Sequence, residues 1–395
     1  MYNITVPVER AWVELDMNHL RHNVGIVQSL LPTGCRLMAV VKANAYGHGA
    51  VAICRELNNC GVRAFCVTSV SEGVELRRNH IRGEILVLGY THPRQFGLLV
   101  RYRLMQTVIN AEYASTLNDF GAKIEVHIKV DTGMHRLGEG AENIGVVAEI
   151  FRYSNLAVHG IFTHLSAVAG DSPVDAAFTQ TQLDRFDRLL SALREQGIRL
   201  PRTHVQNSYG IVNRPDLSYD YARVGCALYG VMDTAEETVH LGLRPVMSVK
   251  SRIAAVRTIE AGETVGYGHS FRSACDMRIA VVMIGYADGV PGCLSNGAGC
   301  VLIRGQRAPV VGEVCMNQIT VDVTDITGVK QGDTAVIIGR SGQDEITACE
   351  MAERTRTIST EIVSRMGAGL QTVEIRTPVA MSRKEPMSLP AGIAR

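Results

Sequence analysis

Short β-rich runs alternate with amphipathic helical stretches from Arg10 to about Gly230, and this alternation constrains the fold more than any other feature. The rhythm is typical of parallel strands joined by crossover helices. Eight runs are predicted to be strands: Arg10–Asp16, Arg36–Lys42, Ala64–Ser69, Ile85–Gly89, Met105–Ile109, Ile124–Asp131, Val158–Leu165 and Thr203–Gln206. Eight strands close a (β/α)8 barrel of the TIM type, so we predict this α/β fold. Met17–Leu31, with apolar residues three and four apart, is predicted to be a helix on its outside.

After about residue 240 the rhythm changes to closely spaced strands separated by turn signals such as Glu260-Ala261-Gly262. This pattern is typical of a mostly antiparallel β-domain. A single late helix is predicted over Thr347–Arg365, because Thr347 and Glu350 form a capping-box pattern. The predicted parts are a barrel over 1–240, whose first residues can also pair with the β-domain, a β-domain over 241–378 and a loose tail over 379–395.

Composition argues against several classes of partner. The formal net charge is +1 and no Lys/Arg block is interleaved with aromatic residues, so we expect no nucleic-acid partner. Apolar stretches such as Ile279–Ile284 are far shorter than the roughly 20 residues that span a bilayer. The N-terminus has no signal-peptide pattern, and we expect a cytoplasmic protein. The ten cysteines form no C-x-x-C pair, which indicates reduced thiols and no metal site, with Cys315 as the candidate exception.

A lysine ends the second predicted strand. Lys42 follows Val40-Val41 and precedes a Gly/Asn-rich turn that runs to Gly49. The carboxyl ends of barrel strands form the active-site face, so Lys42 is expected to point into the site. A lysine partly buried there is a candidate Schiff-base nucleophile, because burial lowers its pKa. On spacing alone, a solvated lysine at a strand end remains equally open.

Two further motifs indicate anion binding. Arg223–Gly230 is glycine-rich and lies near the last predicted barrel strand, where phosphate sites are often found, and Asn207-Ser208 adds a hydroxyl upstream. The run Lys129–Gly138 contains Arg136, which can clamp a carboxylate in a bidentate way. His135 and His164 also follow predicted strands, but a local structural role is the default interpretation for both.

Two more motifs, Val265–Gly268 and Cys315–Gln318, lie in the predicted β-domain. Together the five motifs resemble those of the bacterial alanine racemases over about 370 residues of this chain. The resemblance implies a (β/α)8 barrel followed by a β-domain and the cofactor pyridoxal phosphate. It also implies a head-to-tail homodimer whose sites combine the barrel of one subunit with the β-domain of the other.

The resemblance implies two catalytic bases on opposite faces of a small amino acid. Lys42 matches the lysine that holds the cofactor, and Tyr267 matches a tyrosine from the partner subunit. Racemisation requires both, since one base removes the α-proton and the other returns a proton on the opposite side. The products would be D-amino acids for cell-wall peptidoglycan.

The remaining roles also follow from the resemblance. Arg223 matches the arginine that faces the pyridine nitrogen, and His164 matches the residue hydrogen-bonded to it. An arginine cannot usefully give up its proton, so a fully delocalised carbanion is discouraged. Lys129 matches a lysine that is carbamylated in many members. The phosphate positions are Tyr46, Ser208, Gly225 and Cys226, Asn207 and Thr360 are further cofactor positions, and the substrate positions are Arg136, Tyr286, Met316 and Asn317.

Departures from the family pattern cluster around the pocket. Asn317 stands where the family usually has aspartate, Glu313 where it has arginine, and Gly292 where it has arginine. Thr360 replaces a tyrosine that narrows the pocket, which opens space and leaves a small hydroxyl. These changes predict that the pocket accepts serine, as in the serine/alanine racemases associated with vancomycin resistance. Those relatives carry an N-terminal membrane domain, so this chain is expected to be their catalytic portion or a free-standing cousin.

Three alternatives remain at this stage. A racemase for longer or basic side chains is the nearest, given Glu313 and Gly292 at the entrance. Decarboxylases of the same architecture carry an acidic residue at the position of Arg223 and lack a counterpart of Tyr267. A non-catalytic cofactor-binding protein would consist of a barrel without the β-domain.

Overall fold

The computed structural model describes residues 9–166, 172–366 and 368–376, so the predicted tail over 379–395 lies outside the described residues. The first sheet is a closed parallel barrel, as predicted: Met105–Val108 pairs with Ile124–Asp131, and Tyr221–Val224 pairs with Arg36–Val40. Its eight strands are Arg36–Val40, Ala64–Val67, Glu84–Val87, Met105–Val108, Ile124–Asp131, Leu156–Phe162, Arg202–His204 and Tyr221–Val224.

The predicted barrel strand Arg10–Asp16 was assigned to the wrong sheet. The observed strand Ala11–Asp16 pairs antiparallel with Met247–Ile259 and parallel with Gln371–Ile375. From Val13 to Asp16 its sequence alternates apolar and polar residues, and Glu14 accepts hydrogen bonds from Trp12 Nε1 at 2.9 Å and Lys250 Nζ at 2.6 Å. A polar face of this kind suits an antiparallel sheet, whereas barrel strands are buried on both faces. Tyr221–Val224 takes the eighth barrel position instead.

Helices surround the barrel, and the first confirms the prediction closely. Met17–Leu30 is capped by Asp16, whose Oδ1 accepts from the backbone N of Asn18 at 2.8 Å and of His19 at 3.1 Å. Its apolar stripe is buried, as the spacing predicted. The other barrel helices are Ala50–Asn59, Val70–Arg78, Phe96–Arg101, Ala111–Asp119, Ile144–Ile150, Pro173–Glu195, Ser208–Asn213 and Ala235–His240. Among the residues described, no helix is long and apolar enough to cross a membrane.

The second sheet is mostly antiparallel, as predicted. Its long strand Met247–Ile259 pairs with Ala11–Asp16, Met277–Val282 and Thr334–Ser341. The remaining strands are Cys300–Ile303, Gln306–Pro309, Ile319–Asp322, Asp344–Ile346 and Gln371–Ile375, with a small hairpin of Thr264–Val265 and Phe271–Arg272.

The single late helix predicted over Thr347–Arg365 is two helices, Ala348–Thr355 and Ser359–Met366. Arg356 adopts a left-handed conformation with φ of 54°, and Thr357 N donates to Ala352 O at 3.0 Å, which ends the first helix. The second helix then packs against the loop after Arg36–Val40. A Cβ added at Gly47 would lie 2.4 Å from Val363 O, so only glycine permits this approach.

The barrel interior is filled by side chains, so a ligand cannot enter it and can bind only at an open end of the barrel. Eight residues make this inner cluster: Met38, Val40, Ala64, Cys66, Leu86, Met105, Phe162 and Tyr221. The amino end is closed by Tyr221, whose Oη hydrogen-bonds with Glu84 Oε2 at 2.5 Å and Arg202 Nη1 at 2.8 Å. The open end is therefore the carboxyl end, where barrel active sites lie.

Candidate active site

A cavity of about 250 Å³ opens at the carboxyl ends of the barrel strands. Ten of the predicted site residues line it: Lys42, Tyr46, Lys129, Arg136, His164, Asn207, Ser208, Arg223, Gly225 and Cys226. Each of them lies at a barrel strand's carboxyl end or in the loop that follows. The structure therefore brings these ten residues together at one cavity.

Lys42 begins an unusual turn. Ala43, Asn44, Ala45 and Tyr46 all have φ between 52° and 54°, so four consecutive residues with side chains are left-handed. This conformation is strained for L-residues and persists only where the surroundings over-determine it. Ala43 N donates to Glu72 Oε1 at 2.7 Å, and Asn44 Oδ1 accepts from the backbone N of residue 50 at 2.8 Å. The turn carries both Lys42 and Tyr46 to the cavity wall.

The Lys42 amine is poised for nucleophilic chemistry. Burial lowers its pKa from the ordinary value, and the nearby Arg136 guanidinium lowers it further. Both effects disfavour the ammonium form and leave more free amine. In the structure Lys42 is half-buried at the cavity wall and its pKa is lowered.

At the far end of the cavity, several donors converge. Ser208 Oγ accepts from the backbone N of Gly225 at 3.1 Å, and a Cβ added at Gly225 would lie 2.6 Å from Tyr46 Oη. Glycine is needed there because the tyrosine hydroxyl occupies the space. Asn207 also lines the cavity, and its Oδ1 caps the following helix by accepting from Gly210 N at 2.8 Å. Hydroxyl and backbone groups thus lie together at this end of the cavity.

Arg223 lies at the centre, 3 % exposed. Its Nη2 donates to Thr163 O at 2.8 Å, to Val205 O at 2.9 Å and to His164 Nδ1 at 3.1 Å, so the predicted contact with His164 is present. Its Nη1 donates to His204 Nδ1 at 2.8 Å. Burial lowers its pKa to about 10, which leaves the guanidinium charged at neutral pH.

Three residues beneath Arg223 were not predicted. The Phe162 ring stacks on His204 at 4.5 Å and lies 5.0 Å from the Arg223 guanidinium carbon, and His127 Nδ1 lies 2.8 Å from His204 Nε2. A signal existed for two of them, since His127 and Phe162 each stand two positions before a predicted site residue. Side chains two apart on a strand share a face.

Lys129 is also buried, and its pKa is lowered to about 7 by burial and then by the charge of Arg223. Its Nζ donates to Val130 O at 2.8 Å. His135 has the local role expected by default, with Nδ1 3.1 Å from Asp131 Oδ2. Arg136 in the same loop is exposed on one side and lines the cavity on the other.

Thr360 reaches the mouth of the site. An adjoining cavity of about 380 Å³ is lined by Thr360 together with Lys42, Tyr46 and Cys226. Tyr209, which was not predicted, lines both cavities, and its Oη accepts from Asp233 N at 2.9 Å. Thr360 lies in the helix Ser359–Met366, which begins after the break at Arg356.

The predicted residues of the β-domain do not line either cavity. Tyr267, Met316 and Tyr286 are exposed by 76 %, 56 % and 51 %. The last two are held together, since Tyr286 N donates to Cys315 O at 3.0 Å and Ala287 N donates to Met316 O at 2.9 Å. They form an exposed face of the β-domain in the single chain.

Asn317 and Glu313 are engaged close to this face. Asn317 hydrogen-bonds with Asp288, which also accepts from Arg10 Nη2 at 2.6 Å. Glu313 Oε1 accepts from Asn296 Nδ2 at 2.9 Å, and bonds with neighbouring hydroxyls lower the pKa of its carboxyl. Asn317 and Glu313, which both depart from the family pattern, therefore each form hydrogen bonds with residues near this face.

A barrel with a half-buried lysine and several hydroxyl and backbone groups in a cavity at its mouth, followed by a β-sheet domain, defines a class of two-domain barrel proteins. Residues 15–233 match the family model for the N-terminal domain of alanine racemase, and residues 246–374 match the model for its C-terminal domain. The chain belongs to the alanine racemase family.

Individual relatives agree with this placement. An amino-acid racemase of Enterococcus faecalis is 41% identical over 364 residues, which are 92% of this chain and 51% of the relative. An alanine racemase of Nostoc sp. is 39% identical and covers 90% of this chain and 93% of its own. A serine/alanine racemase of Enterococcus gallinarum is 36% identical, over 92% of this chain and 51% of its own. This chain spans about half the length of the enterococcal relatives.

Among solved structures, alanine racemase from Clostridium difficile superposes with a TM-score of 0.87 at 32% identity. The match covers 94% of this chain and 97% of that one. The barrel and the β-domain therefore match together, as one architecture.

Proposed function

We propose that this chain is a pyridoxal-phosphate-dependent racemase that interconverts the L- and D-enantiomers of alanine and serine. The observation that carries the proposal is one cavity with a pKa-lowered lysine at its mouth, a buried arginine at its centre and a hydroxyl-lined cradle beyond. The family supplies the cofactor class, and the D-amino acids would serve peptidoglycan synthesis. Ten free cysteines favour a cytoplasmic location for this unit.

The residues present fit the cofactor. Ser208 Oγ, Tyr46 Oη and the backbone N–H of Cys226 would hold its phosphate, and the absence of a Cβ at Gly225 lets the Tyr46 hydroxyl approach this position. Lys42 would hold the carbonyl carbon at the other end. When bound, pyridoxal phosphate supplies an electron sink that weakens the Cα–H bond of an attached amino acid.

Arg223 would tune that sink. A guanidinium has only donors and keeps its proton at neutral pH, so it cannot protonate the pyridine nitrogen that it faces. Its bonds to two carbonyls and two histidines prevent it from moving away. Charge would therefore stay closer to the substrate carbon, which favours simple reprotonation over side reactions.

Racemisation requires a second proton-transfer group opposite Lys42, and Tyr267 lines neither cavity of its own chain. We propose that Tyr267 of a second copy completes the site in a head-to-tail homodimer. The exposure of Tyr267, Tyr286 and Met316 supports this, because exposed large apolar side chains are often covered at an interface. Lys42 would then hold or release a proton on one side of the α-carbon and Tyr267 on the other.

Arg136 and Met316 would hold the substrate carboxylate, the first through its guanidinium and the second through its backbone N–H. We propose that Lys129 is carbamylated and orients Arg136. A pKa near 7 supports this, since only the neutral amine reacts with carbon dioxide. Carbon-13-labelled bicarbonate should give a carbamate NMR signal that the Lys129→Met variant lacks.

The choice of alanine and serine as substrates rests on Thr360. Its half-buried side chain at the mouth, beside Lys42, leaves more room and a hydroxyl where the family usually has a phenol. The likeness to the Enterococcus gallinarum serine/alanine racemase, whose printed name covers both substrates, supports the same choice. Because such relatives are about twice as long, this chain would correspond to their catalytic part.

Chiral separation of the products from L-alanine, L-serine and L-lysine tests the proposal. Conversion of alanine and serine, with α-proton exchange in deuterated water and no carbon dioxide release, is the expected result. Negligible serine turnover beside alanine would remove serine from the proposal, and preferred lysine turnover would favour the racemase of basic side chains. Carbon dioxide release would identify a decarboxylase, and cofactor binding without exchange a non-catalytic protein.

A further inference from the structure

His48 belongs to the lysine motif, yet none of the steps above uses it. Its side chain is fully buried, and its Nδ1 lies 3.0 Å from both Ala45 O and Tyr46 O. Burial lowers the pKa of the ring to about 4, so it is neutral at physiological pH. Two carbonyls can only accept, which makes Nδ1–H the donor to both.

Those two carbonyls belong to the left-handed turn. The beginning of the turn is supported by Glu72 and Asn44, whose side chains accept from backbone N–H groups. His48 provides the corresponding support at its end, beside Tyr46. Since left-handed residues with side chains are strained, each such contact shifts the balance towards this conformation.

The ring also links the turn to the strand that precedes it. His48 stacks on Tyr229 with centroids 4.6 Å apart, and Tyr229 lies 5.1 Å from the Tyr46 ring. Tyr229 Oη donates to Val40 O at 2.8 Å, at the last residue of the strand that leads to Lys42. The rings of His48 and Tyr229 thus contact both the end of the strand at Val40 and the turn that follows it.

The second ring nitrogen of His48, Nε2, gives further support for this role. Nε2 of His48 is buried and has no hydrogen-bond partner within the described part of the chain. A buried unpaired acceptor costs free energy, and a phenylalanine would fill similar space without it. The benefit of the Nδ1–H bonds to the turn is what offsets that cost.

We propose that His48 is a positioning residue that holds the turn in the conformation aiming Lys42 and Tyr46 into the cavity. The inference rests on the proposed function, because those two side chains matter through the cofactor they would bind. His48 itself touches neither the cofactor site nor the substrate site. It acts through Ala45 O and Tyr46 O.

Two variants separate the hydrogen bond from the ring. His48→Phe keeps a ring against Tyr229 but removes the donor, whereas His48→Asn places an amide N–H where Nδ1–H stood and removes the ring. Leu57→Ala is the stability control, since Leu57 is fully buried in the neighbouring helix Ala50–Asn59 and lines neither cavity. Thermal unfolding of each full-length variant records the general loss of stability.

The first readout does not depend on the cofactor. The backbone N–H groups of Gly47 and Gly49 donate to Ala43 O at 3.0 Å and Asn44 O at 2.9 Å, so their hydrogen exchange reports on the turn. We expect exchange in His48→Phe to be about tenfold faster than in the wild type, with His48→Asn within about threefold. Leu57→Ala should leave these two amides unchanged relative to their neighbours.

The second readout is the dissociation constant of pyridoxal phosphate, measured by titrating each protein after removal of bound cofactor. We expect about a tenfold increase in His48→Phe and substantial recovery in His48→Asn. Wild-type exchange and affinity in His48→Phe would overturn the inference, as would equal defects in His48→Asn or Leu57→Ala. If the wild type binds no pyridoxal phosphate, the proposed function fails, while amide exchange still tests the role of His48.

Discussion

Arg223 Nη1 donates to His204 Nδ1 at 2.8 Å, and this bond determines which atoms donate and which accept in a buried row of hydrogen-bonded side chains. A guanidinium can only donate, so Nδ1 of His204 accepts and the proton of the neutral ring lies on Nε2. That proton is donated to His127 Nδ1, 2.8 Å away. Burial lowers the pKa of both rings, that of His127 to about 3, so both stay neutral while Arg223 stays charged.

Removing the acceptor from Arg223 should destabilise the barrel. His204→Leu leaves a buried charged donor unpaired, so we expect the free energy of unfolding to fall by about 3 kcal/mol. Urea unfolding measures this. His204→Asn can place an oxygen near the former Nδ1 position and should recover part of the loss. Equal losses in both variants would show that packing against Phe162, rather than the hydrogen bond, is what matters.

Mixing two inactive variants should restore activity if sites are shared between subunits. Lys42→Ala and Tyr267→Phe each remove one base from every site. In a mixed dimer one site has lost both bases and the other retains both. Random assortment should therefore recover about a quarter of wild-type racemisation, because half of the dimers are mixed and each has one intact site.

The same mixture provides its own control. Each variant denatured and refolded alone should remain inactive, and size-exclusion chromatography should show a dimer in every sample. A mixture that stays inactive while mixed dimers form would mean that Lys42 and Tyr267 do not meet across the interface.

Thr360→Tyr should shift the substrate preference towards alanine. A phenol at this position occupies space in the adjoining cavity beside Lys42. Serine exceeds alanine by one hydroxyl, and a difference of one such small group in a pocket is worth about 1–3 kcal/mol, so the serine-to-alanine ratio of kcat/KM should fall by about tenfold or more. Thr360→Val, which keeps the size and removes the hydroxyl, separates space from hydrogen bonding. An unchanged ratio in Thr360→Tyr would count against the threonine as the determinant.

Lys129 should give stability a distinctive pH dependence in carbon-dioxide-free buffer. Its folded pKa is about 7, whereas an unfolded lysine titrates near ~10.4. Between these values only the unfolded chain binds this proton. Between these two values the free energy of unfolding should therefore rise by about 1.4 kcal/mol per pH unit because of this group. Below about pH 7 the amine is protonated in both states, so this pH dependence disappears.

Lys129→Met should remove that slope, as measured by urea unfolding at several pH values in the window. Lys123→Met, at an exposed site, is the matched control and should keep the wild-type slope. A Lys129→Met profile parallel to the wild type would show that the folded amine is protonated throughout.

The strand ends were predictable because they depend on local pattern. A parallel barrel places the carboxyl ends of all its strands at one mouth, so Lys42, Lys129 and His164 could be placed there before their contacts were known. Arg223 could not be placed in this way, because its strand Tyr221–Val224 was not among the predicted strands. The helix-capping bond of Asn207 was not predictable either, since a side chain beside a helix start can bind a ligand or cap the helix. The break at Arg356 was also hidden, because nothing in the residue type requires a left-handed conformation.

By itself the sequence determined the barrel, the mostly antiparallel β-domain and the lysine-bearing mouth, because periodicity and strand ends are properties of neighbouring residues. Only the tertiary structure decided that Ala11–Asp16 belongs to the second sheet and that Tyr221–Val224 closes the barrel. It also decided that Arg223 meets a carbonyl 60 residues away, and that Tyr267 lines neither cavity in its own chain. Such pairings are chosen by packing between distant segments, which local pattern does not record.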